Sequence, residues 1–388
     1  MPPPDYASIL DVVPGTSPSD LVGLLRRAAA PLGCSDLTVY LVDFQGAALQ
    51  PVLLDPASPV VADEDVEVSV AGRVFRTGEP VVTERADGAR VWVPLVERAE
   101  RTGVVALTVP SADGPTLTEC RRLGVFAGLL VRGFARTTDL LHLCRRRRSM
   151  TLAAGMQWDL LPPLTVRSSG AMACGRLEPA YEIAGDAFDY ALNDTHLHAA
   201  VFDGMGHGVE STLMTTLAVG AYRHARRKGL HLEEVRATVD EALAGHYGGQ
   251  AFVTAAFARL EVATGALEWV NSGHPRPLLL RDRRVVRQLA CAPSLPLGLQ
   301  GACVEVALEP LEPGDCVLFF TDGVVEGRSH TGEEFGVDRL ATAWERHAST
   351  DQQADEVLRR LVEEVTTYNA GKLRDDASLM LVSWNRAG

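Results

Sequence analysis

Apolar positions in the first third of the chain switch between two periods. Leu21, Leu24, Leu25, Ala28 and Leu32 recur at helical spacing behind Ser19 and Asp20, which are placed to cap that helix. Residues 37–42 then read as a strand, with Gln45-Gly46 as a turn, and strands at 91–95 and 104–109 flank a charged turn at 97–101. Residues 1–113 therefore read as a mixed α/β domain. Over 117–161 the pattern narrows. Leu123, Phe126, Leu130, Phe134, Thr137, Leu141 and Cys144 follow the 3–4 spacing of a coiled-coil seam. Gly124, Gly128 and Gly133 each weaken an isolated helix by about 1 kcal/mol, so this segment is expected to lean on a partner surface, a second subunit. Arg145, Arg146, Arg147 and Arg148 read as the solvated end of a helix, and Leu160-Leu161-Pro162-Pro163 stops the segment.

Residues 164–388 are richer in strands, predicted at 197–202, 252–260, 267–270, 316–321 and 378–382. The helix predicted at 208–227 is apolar over most of its circumference (Val209, Leu213, Met214, Leu217, Ala218, Ala221, Tyr222), which predicts burial. Further helices are predicted at 233–246 and 351–368. Hairpin-like spacing among these elements gives an α+β domain with antiparallel sheets.

Composition narrows the function classes. A length of 388 residues suggests two or three domains, and 37 basic against 50 acidic side chains leave a formal charge of −13. That balance argues against nucleic acid or an anionic membrane as partner. Apolar runs such as 124–131 fall far short of a bilayer span, and the start resembles no signal peptide. Seven scattered cysteines without a C-x-x-C pair indicate reduced thiols in a cytoplasm rather than a disulfide framework. All ten histidines lie beyond residue 141, which excludes a histidine-ligated haem from the first domain.

The candidate chemistry is carboxylate. Asp186 follows Ala184-Gly185. Asp203 ends a predicted strand and opens Asp203-Gly204-Met205-Gly206-His207-Gly208. Asp322 ends another and precedes Gly323, and Asp375-Asp376 introduces the last strand. A single Asp-Gly pair is usually a turn, but four such positions abutting strands form a pattern. Converging carboxylates repel unless cations neutralise them, and an all-oxygen set favours magnesium or manganese over zinc. The Gly204 carbonyl is free to turn toward such an ion.

Two resemblances follow. The segment Val70-Ala71-Gly72-Arg73-Val74-Phe75-Arg76-Thr77-Gly78-Glu79-Pro80-Val81, with Val93-Pro94-Leu95 and Gly103-Val104-Val105-Ala106-Leu107, resembles a GAF sensory domain. Residues 170–385 resemble the SpoIIE-like branch of the metal-dependent Ser/Thr protein phosphatases, the PPM family. The motifs include Ala184-Gly185-Asp186, Asp203-Gly204-Met205-Gly206-His207-Gly208, Asn271-Ser272-Gly273-His274-Pro275, Thr321-Asp322-Gly323-Val324-Val325-Glu326 and Arg374-Asp375-Asp376.

The second resemblance implies an αββα β-sandwich with two Mn2+ or Mg2+ ions at one edge. By motif, Asp203 would bridge both ions and Gly204 would offer its carbonyl; Asp186 would bind one ion, and Asp322 and Asp375 the other. Asp203 and Asp322 would be the catalytic pair, and of Asp375-Asp376 the motif places the metal contact on the first. Met205 replaces a histidine that eukaryotic relatives carry, while His207 and His274 read as structural. The implied reaction is hydrolysis of phosphoserine or phosphothreonine on an anti-anti-sigma (STAS) protein of a bacterial partner-switching system. Three parts are thus expected: a GAF-like sensor with an unknown signal at 1–113, a dimerising helical linker at 114–163, and a phosphatase domain at 164–388. A non-catalytic binding scaffold and a small-molecule phosphomonoesterase remain alternatives.

Overall fold

A computed structural model describes residues 6–53, 61–182, 185–292, 294–301, 304–348, 353–371, 373 and 375–386. The chain forms two compact units, Met1–Ser149 and Met150–Gly388, rather than three parts.

In the first unit α1 (Tyr6–Val12) and α2 (Leu21–Ala29) precede β1 (Asp36–Val42), β2 (Ala48–Pro51) and β3 (Glu64–Asp65). Then come α3 (Val70–Thr77), β4 (Val81–Arg85), β5 (Gly88–Glu97), β6 (Glu100–Val109), α4 (Gly114–Ala135) and α5 (Leu140–Cys144). Among the described residues the strands form one antiparallel sheet in the order β3-β2-β1-β6-β5-β4. Strand alternation gives it two apolar faces. Leu37, Val39, Leu41, Val105 and Leu107 pack with α2 and α4, whereas Tyr40, Val42, Val104 and Ala106 pack with Ala71, Val74 and Phe75 of α3.

The partner of α4 is therefore this unit's own sheet. Leu123, Leu130, Phe134 and Leu141 are buried in that core, with Phe126 and Cys144 packed against it. A Cβ on Gly124 or Gly128 would run into the Pro94 or Val96 carbonyl of β5, so these glycines are points of close approach. The seam that predicted a homodimer is already covered. Nor is 117–161 one helix: α4 and α5 belong to the first unit, and the remainder belongs to the second. Arg145 is not merely solvated, since its Nε donates to the Val42 carbonyl at 2.9 Å and its guanidinium lies 4.5 Å from the Phe44 ring centre.

The second unit runs α6 (Leu152–Leu160), β7 (Thr165–Arg167), β8 (Ala171–Glu178), β9 (Asp186–Leu192), β10 (His196–Gly204), α7 (Val209–Arg227), α8 (Leu232–Tyr247), β11 (Val253–Glu261) and β12 (Ala266–Ser272). It continues through β13 (Leu278–Arg281), β14 (Arg284–Gln288), β15 (Ala307–Pro310), β16 (Cys316–Phe320), α9 (Asp322–Val325), α10 (Gly336–Ala348), α11 (Ala354–Tyr368) and β17 (Ala377–Trp384). Among the described residues, one antiparallel sheet has the order β15-β12-β11-β10-β9 and the other β14-β13-β16-β17-β8-β7. Phe188, Val201, Trp269, Phe319 and Met380 fill the space between them. Helices α7 and α8 cover the outer face of the first sheet, and α10 and α11 that of the second. The layers are αββα, as the resemblance implies. Helix α7 is less buried than its sequence predicts: Met214, Ala218 and Tyr222 are interior, while Val209 and Leu213 are 40% and 48% exposed. The start of the helix predicted at 351–368 lies partly outside the described residues.

Candidate metal centre

The predicted carboxylates come together where strands of the two sheets begin and end. Asp186 opens β9, and antiparallel pairing sets Asp203 of β10 directly opposite it. From the other sheet, Asp322 opens α9 just beyond β16, and Asp375-Asp376 leads into β17. Thr321, fully buried, joins the two sides. Its hydroxyl donates to Asp186 Oδ2 at 2.6 Å and accepts the Ser378 N–H at 2.9 Å. The Asp186 N–H donates to Asp376 Oδ2 at 3.2 Å.

Glycine is required here for contact. A Cβ on Gly323 would strike the Asp376 carbonyl, and one on Gly204 would lie 2.6 Å from the hydroxyls of Ser211 and Thr215. Those hydroxyls, on the first turns of α7, donate to the carbonyls of Gly204 (2.8 Å) and Gly185 (2.5 Å). The Gly204 carbonyl thus already accepts one hydrogen bond and keeps its second lone pair.

The electrostatics are those of crowded, desolvated acids. Burial pushes Asp186 well above the ordinary carboxylate range, and Asp203 and Asp376 add to the shift. Asp203 is pushed up to about 7 by burial, then by Asp322 and Asp375. Burial also raises Asp376 to about 7, against the hydrogen bond from the Asp186 amide and with repulsion from Asp375. Asp322 is raised by burial, Glu326 and Asp375. Among the described residues no three His, Cys, Asp or Glu side chains stand together as a ready metal-binding group. The donor set nevertheless fits hard divalent cations. It is all oxygen, its members repel one another, and among the described residues the buried Asp376 Oδ1 has no hydrogen-bond partner.

Several contributors escaped the sequence reading. Glu326 lies one helical turn after Asp322 and lines with it, Arg328 and Asp375 a cleft of about 220 Å3. The i, i+4 spacing could have signalled it. Thr321, Ser211 and Thr215 carry no such signal, because a hydroxyl beside a metal turn looks like any other. His274 is a loop-holding residue, as its motif suggests. Asn271 Oδ1 accepts its N–H at 2.7 Å, and its ring Nδ1 lies 2.8 Å from Thr254 Oγ1. Burial pushes the imidazole down to about 3, so it is neutral. Met205 is 41% exposed and His207 is also exposed. Ala184 and Arg374 lie outside the described residues.

Residues 193–385 match the family model described as Stage II sporulation protein E (SpoIIE), a span that includes Asp203, Asp322 and Asp375 and begins after Asp186. Phosphoserine phosphatase RsbU of Bacillus subtilis is 22% identical over 240 residues, covering 61% of this chain and 70% of RsbU. Phosphoserine phosphatase RsbP of the same bacterium is 28% identical over 152 residues, 37% of each chain. Protein IcfG of Synechocystis is 23% identical over 238 residues, and the match spans 37% of its length. The chain thus spans little more than a third of RsbP and IcfG. The solved SiaA-PP2C domain of Pseudomonas aeruginosa shares the fold, with a TM-score of 0.51 at 20% identity over 60% of this chain and 94% of that domain. A two-sheet sandwich with aspartates at its strand ends, with residues 193–385 matching SpoIIE, makes the C-terminal unit similar to the SpoIIE domain.

Proposed function

We propose that this chain is a metal-dependent protein phosphatase that hydrolyses phosphoserine or phosphothreonine. The observation that carries the reading is the meeting of Asp186, Asp203, Asp322 and Asp375-Asp376 at one end of the sandwich, with four of these carboxyls raised by burial and mutual repulsion. The carboxylates of Asp186, Asp203, Asp322 and Asp375 and the Gly204 carbonyl would hold two ions. Mn2+ or Mg2+ bound there supplies charge neutralisation and acidifies the attacking water. The chain's own part is to place the carboxylates. Thr321 fixes Asp186, β-pairing fixes Asp203 against it, and Gly323 lets α9 approach β17. No cysteine or serine nucleophile is needed.

The substrate class we infer is a phosphorylated anti-anti-sigma (STAS) protein, dephosphorylated in the cytoplasm under control of the N-terminal unit as a GAF-like sensor. Support comes from the SpoIIE-like domain and from two relatives named phosphoserine phosphatases. Phosphate release from phosphorylated STAS proteins of the same genome, with Mn2+ and then with excess EDTA, tests it. Release that requires Mn2+ and stops on chelation is expected. Release unaffected by exhaustive chelation, or no release from any such protein, would sink it.

A further inference from the structure

Gln157 lies on α6, 1% exposed, and its amide points into the carboxylate cluster. Its Nε2 donates to the Asp186 backbone carbonyl at 2.7 Å and to Asp376 Oδ2 at 3.3 Å. The same Oδ2 accepts the Asp186 N–H at 3.2 Å. One side chain from α6 therefore ties the first residue of β9 to the residue just before β17. Burying an amide costs free energy unless its hydrogen bonds are made, and both bonds made here end on residues of the candidate centre.

Helix α6 has other anchors besides this amide. Trp158 Nε1 donates to the Ala180 carbonyl at 2.9 Å, and the Thr151 hydroxyl caps the helix by accepting the Ala154 N–H at 3.1 Å. A leucine at 157 would fill similar volume without a polar group to satisfy. It would, however, take from Asp376 Oδ2 its side-chain donor, leaving only backbone amides around that carboxyl, and leave the Asp186 carbonyl without this donor. Among the described residues the remaining buried acceptors, Gln157 Oε1 and Asp376 Oδ1, have no partner.

We infer that Gln157 is a positioning residue of the metal centre. It holds Asp376 against Asp186 so that the Asp186 and Asp375 carboxylates are presented to the cation with their backbones already fixed. This rests on the metal reading above. It is not part of the matched family segment, which begins 36 residues after Gln157 (193 against 157).

The test is Mn2+ titration calorimetry on the metal-depleted full chain, with melting curves in EDTA as the fold control. Gln157→Leu should bind Mn2+ at least tenfold more weakly, while kcat recovers at saturating Mn2+. Trp158→Phe, which deletes the neighbouring hydrogen bond of the same helix, should bind Mn2+ within twofold of wild type. If Gln157→Leu does not fold, Gln157→Asn, one methylene shorter, carries the same expectation. Wild-type Mn2+ affinity in the folded Gln157 variant, or an equal loss in Trp158→Phe, overturns the inference and leaves the metal reading standing. A wild-type chain that binds neither Mn2+ nor Mg2+ overturns both.

Discussion

The two units use the same backbone device for opposite ends. In the first, Gly124 and Gly128 bring α4 onto β5, and what the close approach buries is apolar: Leu123, Leu130 and Phe134. In the second, Gly323 and Gly204 bring α9 and α7 onto strand ends, and what meets there is carboxylate, hydroxyl and carbonyl. Close packing of apolar groups stabilises a fold. Close packing of acids costs stability until something positive arrives. One contact reads as a foundation, the other as a site held under electrostatic tension by the fold around it.

The largest effects should fall on the acidic side. Asp203→Asn and Asp322→Asn are each expected to reduce phosphate release to background, while the metal-free protein melts no lower than wild type because a repelling charge has gone. A variant that turned over normally would dissolve the contrast between the two units. Next comes the apolar side. Phe134→Ala should cost about 3 kcal/mol in the first unit, the usual range for a buried aromatic, read as a lower unfolding midpoint in urea. Leu130→Asp should unfold that unit rather than release a monomer from a dimer. Proteolysis confined to the first 149 residues would show it.

The pH dependence sharpens the comparison further. A carboxyl whose folded pKa stands above its unfolded value loses its proton first in the unfolded chain. Its neutral form therefore favours the fold at low pH, and that contribution fades as pH rises. With Asp203 and Asp376 at about 7, the metal-free protein should lose stability between roughly pH 4 and pH 7. Saturating Mn2+ should flatten that slope, and melting curves across the range with and without metal would show whether it does. The smallest expected effect is Thr321→Val, which removes one buried hydroxyl bridge for about 1 kcal/mol. Melting in EDTA should show that loss, and Mn2+ affinity should fall by only a few-fold.

Periodicity alone determined much of this protein. The α2 helix, strands β1, β5, β6, β10, β11, β12, β16 and β17, and helices α7 and α8 all follow from apolar runs of helical or strand character. Asp203 and Asp322 were legible because a carboxylate followed by glycine at a strand end is a local pattern. What a local pattern cannot carry is which surface covers an apolar stripe. The seam of α4 reads the same whether a second subunit or its own sheet lies against it, and only the approach of Gly124 and Gly128 to β5 decided that. Nor can it say which hydroxyls and amides meet a carboxylate from far along the chain. Gln157 and Asp376 are 219 residues apart, Thr321 and Asp186 135, and their hydrogen bonds exist only because two sheets stack and bring those strand ends to one place.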